Sequence, residues 1–85
     1  MLKIIETAPR NRAVILILEG HVGGPWVEEL RRLCDRALAA GNDLMLDLAG
    51  VDFVDRDGVD LLQNLKTRHV PLVNCSAFVT AQLKG

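Results

Sequence analysis

The residues that bear most directly on function are four consecutive ones, Asp55-Arg56-Asp57-Gly58. They follow a short apolar run, residues 51–54, and precede a helix-like run, residues 59–67. The turn therefore joins a strand to the N-terminus of a helix, where unpaired backbone N–H groups can hold a phosphate or a carboxylate. Here the chain supplies its own carboxylates. We expect a partner to recognise the protein at this turn, through the charge of the turn residues.

Three other chemistries compete for this turn. An Asp-x-Asp spacing, here residues 55–57, also occurs in phosphoaspartyl hydrolases, but such an enzyme needs a nearby Lys and hydroxyl, and the chain has no room for a lid. A calcium loop fails, because it would put Phe53 at the first ligand position and Asn64 at the last. Gly23-Gly24 precedes a helix but lacks the Lys and hydroxyl of a P-loop. An Asp-dependent phosphohydrolase is a distant alternative.

Composition sets broad limits on the function. The 85 residues suffice for one small domain, and a hydrophobic content of 49% favours a globular fold. A net charge of −1 gives no general attraction to nucleic acid or anionic lipid. Six of the seven Asp residues fall between positions 43 and 60, where Arg56 is the only base. This span is either a set of solvated loop ends or an acidic corner that selects a partner.

Nothing in the sequence indicates export, a cofactor or a metal. The longest apolar run, residues 13–18, is too short to cross a bilayer, and the N-terminus is too short and too charged for a signal peptide. We therefore expect a cytoplasmic protein. Cys34 and Cys75 are far apart and show no CxxC spacing, so both are expected to be reduced. His21 and His69 have no ligand-spaced neighbour.

The periodicity of apolar residues predicts four strands and three helices. Strands are expected over 2–7, 12–19, 43–48 and 71–74, and helices over 26–40, from the acidic turn to 67, and from Ser76 or Ala77 onward. Pro9-Arg10-Asn11 predicts an antiparallel hairpin between the first two strands. The order β-β-α-β-α-β-α then implies parallel strands joined by right-handed crossovers in a single α/β domain, residues 1–85.

The sequence pattern also predicts several local features. The second strand is apolar on both faces, which predicts cover on both sides. Ala49-Gly50 is expected to break the third strand. Asp57 suits the N-cap of the second helix, with Asp60 as a weak capping-box partner. Leu61 falls off the buried stripe of that helix, so we expect it to be exposed.

Residues 46–58, LDLAGVDFVDRDG, resemble the signature of the STAS family, which runs roughly apolar-Asp-Leu-Ser-x-Val-x-Phe-Ile-Asp-Ser-Ser-Gly. The family includes anti-sigma-factor antagonists and domains of transporters, and its element order agrees over nearly the whole chain. The resemblance implies a mixed four-stranded sheet with one antiparallel edge strand, the remainder parallel, and helices mainly on one face. It also implies a protein-binding module rather than an enzyme.

Two departures from the family pattern matter. In antagonists, a kinase that is also the anti-sigma factor phosphorylates the second Ser of the signature, and phosphorylation breaks the complex. Asp57 occupies that position here, Arg56 precedes it, and Ser76 is the only serine. Asp57 is then a partial, permanent imitation of phosphoserine, with about −1 charge against −1.5 to −2. The chain also ends where relatives continue, so a homodimer is expected to cover what stays exposed.

The resemblance places a partner-binding surface on the turn and the first half of the second helix. Asp55 is expected to order the turn, Gly58 to let a partner approach the backbone, and Leu61 to act as an apolar anchor. The full set is Asp55, Arg56, Asp57, Gly58, Leu61, Gln63 and Asn64. The partner expected first is an anti-sigma factor or a stressosome-like assembly. The alternative is the ATPase subunit of an ABC-type lipid transporter.

Overall fold

The described part of the chain forms the predicted seven elements in the predicted order. The computed structural model describes residues 1–7 and 10–84. The strands are β1 (Leu2–Glu6), β2 (Ala13–Val22), β3 (Asp43–Val54) and β4 (Leu72–Val73), and the helices are α1 (Trp26–Ala39), α2 (Arg56–Thr67) and α3 (Ala77–Lys84). Within the described residues, no helix combines the length and apolar character needed to span a membrane.

The four strands form one mixed sheet in the order β1-β2-β3-β4. β1 is antiparallel to β2, and the other neighbours are parallel, which confirms the predicted sheet. The hairpin closes between Arg10 and Ala13, whose backbone groups exchange hydrogen bonds of 3.1 and 2.9 Å. Asn11 and Arg12 between them have φ values of 53° and 65°, as a two-residue hairpin turn requires. Pro9, assigned to this turn from the sequence, lies outside the described residues.

β3 is longer than the sequence predicts. It continues through Ala49-Gly50, where a break was expected, and reaches Val54. Its pairing with β2 shifts register twice, between Ile17 and Glu19 and again between Gly20 and His21. At each shift β3 carries one residue more than β2, so β-bulges absorb the residues that looked like a break. The strand therefore leads directly into the turn at Asp55.

All three helices share one hydrophobic core with a single face of the sheet. Alternate side chains of β2, at Val14, Leu16 and Leu18, are buried there with buried side chains of every helix. The other face, here called the open face, carries six apolar side chains, of which Ile5 and Ile15 are 38% and 37% exposed. The predicted cover on both sides of β2 is therefore wrong. The open face consists of Lys3, Ile5, Ala13, Ile15, Ile17, Glu19, Asp43, Met45, Asp47 and Val73.

Leu61 belongs to the core, and its expected exposure is wrong. Its side chain is only 2% exposed, like those of Leu62 and Leu65 on the same helix. The sequence pattern suggested a narrow stripe facing the sheet alone. In the structure α2 packs between α1 on one flank and α3 on the other, which widens its buried surface to include Leu61. Leu61 therefore cannot anchor a partner on the folded protein.

Both cysteines are free thiols. Burial, with a smaller contribution from the Asp35 carboxylate, raises the pKa of the Cys34 thiol to about 12. Burial also raises the pKa of Cys75. Both thiols therefore stay protonated at neutral pH, which makes them poor nucleophiles and metal ligands. Cys34 acts as a small apolar side chain in the core.

Replacing Leu61 by Ala tests its place in the core. We expect Leu61→Ala to lower the free energy of unfolding by about 2–5 kcal/mol, because it removes buried methyl groups and leaves a cavity. Asn64→Ala, at an exposed position of the same helix, is the control and should change stability by less than about 0.5 kcal/mol. Urea denaturation measures both. A near-neutral Leu61→Ala would contradict the assignment.

Candidate functional site

Asp55, rather than Asp57, is the N-cap of α2. Its backbone is extended, with φ −82° and ψ −179°, and its Oδ1 accepts a hydrogen bond of 2.8 Å from the Gly58 N–H. The predicted cap at Asp57 with Asp60 as capping-box partner is therefore wrong. Because β3 runs on to Val54, the helix starts at Arg56, two residues before the position that an Asp57 cap requires. Asp57 is therefore the second residue of the helix, and its side chain does not cap it.

The same Asp55 carboxylate also holds the loop before α1. Its Oδ2 accepts a hydrogen bond of 2.9 Å from the Gly24 N–H. The Asp55 N–H in turn donates to the Val22 carbonyl, at the end of β2, over 3.0 Å. A side chain at Gly23 would occupy the space that this carboxylate fills. One residue thus joins the end of β2, the loop that leads to α1, and the start of α2.

We expected Gly58 to let a partner approach the backbone. In the structure, Gly58 instead allows close packing inside the molecule. It is buried, and its Cα faces the Val22 carbonyl and the Val54 side chain. A Cβ at this position would collide with that carbonyl oxygen. The absence of a side chain therefore lets α2 begin directly against the end of β2. The close backbone approach that the sequence suggested is made by the chain itself.

Arg56 and Asp57 are the exposed charges of the turn. The Asp57 side chain makes no hydrogen bond or ion pair with any residue that the structure describes. It lines a crevice between α1 and α2 together with Asp60, Glu28 and Arg31. Arg31 contacts Glu28 over 3.3 Å, so this crevice holds three carboxylates and one guanidinium. An anion at the helix N-terminus is also stabilised by the helix dipole.

The acidic corner is smaller than the sequence predicts. Asp52, Asp55, Asp57 and Asp60 lie at the carboxyl end of β3 and the start of α2. Asp43 lies at the opposite end of β3, roughly 30 Å away along an extended strand. Asp47 lies on the open face, where its Oδ1 accepts a hydrogen bond of 3.0 Å from the Ala49 N–H. The corner is therefore built from four aspartates, not six.

An aromatic hollow next to the turn was not predicted. It has a volume of about 320 Å³, and its lining includes Met1, His21, Trp26, Phe53 and Asp55. The His21 and Phe53 rings meet edge to face with centroids 5.8 Å apart, and His21 Nε2 lies 3.2 Å from an Asp52 carboxylate oxygen. Simple strand alternation would bury Phe53 with Val51. The extra residue in β3 turns Phe53 outward, and it is 42% exposed.

The remaining predicted site residues lie farther along α2. Gln63 is exposed, but its amide donates a hydrogen bond of 2.6 Å to the Leu83 carbonyl and so helps to hold α3. Asn64 is exposed on the helix surface. From α3, the Gln82 amide accepts from the Val54 N–H over 3.1 Å and donates to the Val54 carbonyl over 2.8 Å. The last helix is therefore bound to both α2 and the end of β3.

Replacing each aspartate of the turn by Ala separates its two roles. We expect Asp55→Ala to lower the free energy of unfolding by about 1–3 kcal/mol, because it removes a helix cap and leaves two backbone N–H groups without their partner. Asp57→Ala should cost at most about 1 kcal/mol, since it loses only a dipole interaction. Thermal and urea unfolding measure both. Equal losses, or a larger loss at Asp57, would contradict the assignment of the cap.

Comparison with known proteins agrees with this architecture. The family model of the STAS domain matches residues 4–79. The solved structure of the anti-sigma factor antagonist SpoIIAA in its unphosphorylated form aligns with a TM-score of 0.76 at 19% sequence identity. That alignment covers 96% of this chain and 82% of the SpoIIAA chain. No match was found among curated proteins. Because the family model spans most of the chain, including the turn at Asp55, the chain belongs to the STAS domain family.

Proposed function

We propose that this STAS domain is a non-catalytic module that binds a regulatory protein partner through one surface. This turn surface consists of Arg56, Asp57 and Asp60 at the start of α2 together with the hollow around His21, Trp26 and Phe53. The observation that carries the proposal is the exposed Asp57 carboxylate, which no described residue pairs with. It stands at the motif position where antagonists of the family carry their phosphorylatable Ser.

The chemistry of Asp55 supports a binding role over catalysis. An Asp-dependent phosphohydrolase needs two carboxylates that converge on one ligand. Both Asp55 oxygens already accept backbone N–H groups, from Gly58 and Gly24. Asp55 lines the hollow of His21 and Phe53, whereas Asp57 lines the crevice between α1 and α2, so the pair lacks the two convergent carboxylates that a phosphohydrolase would use.

The aromatic hollow supports a protein partner. Exposed Trp and Phe side chains supply large rigid contact areas, and such residues supply many of the energetic anchors of protein interfaces. Trp26 and Phe53 lie beside the acidic corner of four aspartates, so a complementary partner presents apolar groups together with Lys or Arg. This combination sets the docking surface apart from an ordinary solvated helix end.

The fixed charge of Asp57 indicates how the module is regulated. A serine kinase cannot modify a carboxylate, so the charge at this position does not change with signalling. With an anti-sigma factor or stressosome-like partner, Asp57 keeps the domain in a state that partly imitates the phosphorylated one. A partner without a phosphorylation cycle, such as the ATPase subunit of an ABC-type transporter, is the second class that a permanent carboxylate suits.

Converting Asp57 to Ser tests the imitation. With an anti-sigma partner, we expect Asp57→Ser to bind at least about tenfold more tightly and to become phosphorylated by the cognate kinase. The partner is captured from native cytosol with wild-type bait, identified, and titrated by calorimetry. Asp43→Ser, an equal loss of charge at the far end of β3, is the control and should change nothing. Unchanged affinity without modification of Asp57→Ser would refute the phosphoserine imitation, and an ATPase as the captured protein would select the second class.

Truncating the aromatic hollow tests the surface independently. We expect Phe53→Ala to weaken binding of the captured partner by about 1–3 kcal/mol, the range for an aromatic anchor in an interface. Phe78, on α3, is 57% exposed and lies away from the hollow, so Phe78→Ala is the matched control. Equal effects of the two variants would exclude the hollow from the interface, whatever the result at Asp57.

A further inference from the structure

The open face is unusual for a sheet of this kind. Parallel strands are normally covered on both faces, and β2, β3 and β4 are parallel. Yet the apolar side chains Ile5, Ile15, Ile17, Met45 and Val73 form adjacent rows with no helix over them in the described part of the chain. Contiguous exposed apolar rows of this type mark an interaction surface.

We propose that a second copy of the chain packs on the open face, β1 and β2 against β1 and β2, about a two-fold axis parallel to the strands. The proposal rests on the pattern of the β1–β2 pair. Lys3 lies opposite Glu19, and in the next row Ile5 lies opposite Ile17. A two-fold axis between these strands places β1 of one copy over β2 of the other at the same height. Each Lys3 then meets the second copy's Glu19, and each Ile5 meets the second copy's Ile17.

The charges in this pattern are available for a second copy. Neither Lys3 nor Glu19 takes part in an ion pair with the residues that the structure describes, although they face each other across the two strands. In the row below Ile5, Thr7 lies beside Ile15, and its hydroxyl already exchanges hydrogen bonds with the Ile15 backbone over 3.0 and 2.9 Å. Covering this row therefore leaves no new polar group unsatisfied.

The acidic residues of β3 determine where the axis lies. Asp43 and Asp47 are on the open face, and an axis centred on β3 would bring each copy's carboxylates together in a buried position. With the axis between β1 and β2, β3 lies beyond the edge of the second copy's β1. Both carboxylates then stay in water. The pattern is thus self-complementary only about the β1–β2 pair, as an isologous interface requires.

The size of this interface determines its strength. Two strands and three rows, Lys3–Glu19, Ile5–Ile17 and Thr7–Ile15, give a footprint about 10 Å wide and 20 Å long, well below the ~800 Å² per partner of a standard interface. We therefore expect a weak dimer that is half associated at roughly 100 μM and dissociates as salt rises. The dimer uses none of the turn-surface residues, although His21 of that surface follows Glu19 by two residues and lies beside the Lys3–Glu19 row on the same face of β2.

Charge exchange tests the arrangement by sedimentation equilibrium over about 10 μM to 1 mM. Lys3→Glu alone or Glu19→Lys alone should weaken dimerisation at least about tenfold, because each places like charges opposite one another twice. The double variant, Lys3→Glu with Glu19→Lys, should return to within about threefold of the wild type. Lys84→Glu, on α3, makes the same change in net charge as Lys3→Glu and should have no effect.

Each remaining outcome would overturn the proposal. A wild-type chain that stays monomeric at 1 mM leaves the open face without a second copy. A double variant that fails to recover, while circular dichroism shows it folded, contradicts the Lys3–Glu19 pairing. An equal effect of Lys84→Glu would assign the loss to net charge. These variants replace no residue of the turn surface, so titrating the captured partner against the same variants separates a failure of the dimer from a failure of the proposed function: unchanged partner binding with no dimer rejects the dimer alone.

Discussion

The structure depends on the Asp55 carboxylate, which accepts one backbone N–H with each oxygen. A helix N-terminus leaves backbone donors that need partners, and here a single side chain satisfies the Gly58 donor of α2 and the Gly24 donor of the loop before α1. Gly58 and Gly23 make this possible, because a side chain at either would occupy space that Val22 or Asp55 needs. The rigid turn then leaves Asp57 with no structural task, so its charge faces outward.

The one-sided arrangement of helices leaves the molecule with two surfaces of different composition. All buried helical side chains meet one face of the sheet, and the N-termini of α1 and α2 meet at the carboxyl ends of the parallel strands. Ligand sites of open α/β sheets lie at that edge, and the turn surface of this chain is there too. The open face has a different chemistry, with apolar rows bounded by a few charges. A partner and a second copy would contact different residues, which adjoin where His21 follows the Lys3–Glu19 row.

The sequence predicted the architecture well, because element order and sheet type follow from long periodic runs of apolar residues and from a specific motif. The alternation of apolar runs, the helical spacing in α1 and the motif over residues 46–58 were enough for the element order, the mixed sheet and the family. Errors arose where tertiary contacts outweigh local pattern. β-Bulges carried β3 through Ala49-Gly50, moved the helix cap from Asp57 to Asp55 and turned Phe53 outward. Leu61 was assigned to the surface because the stripe was drawn through Val59, Leu62 and Leu65. The buried set, Gly58, Leu61, Leu62 and Leu65, has the usual i, i+3, i+4, i+7 spacing of a helix face.

The two hydrogen bonds between the Gln82 side chain and the Val54 backbone have a consequence for solubility. β4 has only two residues, so most of the outer edge of β3 has no neighbouring strand among residues 1–7 and 10–84. An exposed edge of this kind is a template on which another chain can add a strand and start an aggregate. The Gln82 amide occupies both the N–H and the carbonyl of Val54, as a strand residue would. A side chain of α3 thus prevents another strand from pairing with the edge of β3 next to the turn, without adding a strand to the sheet.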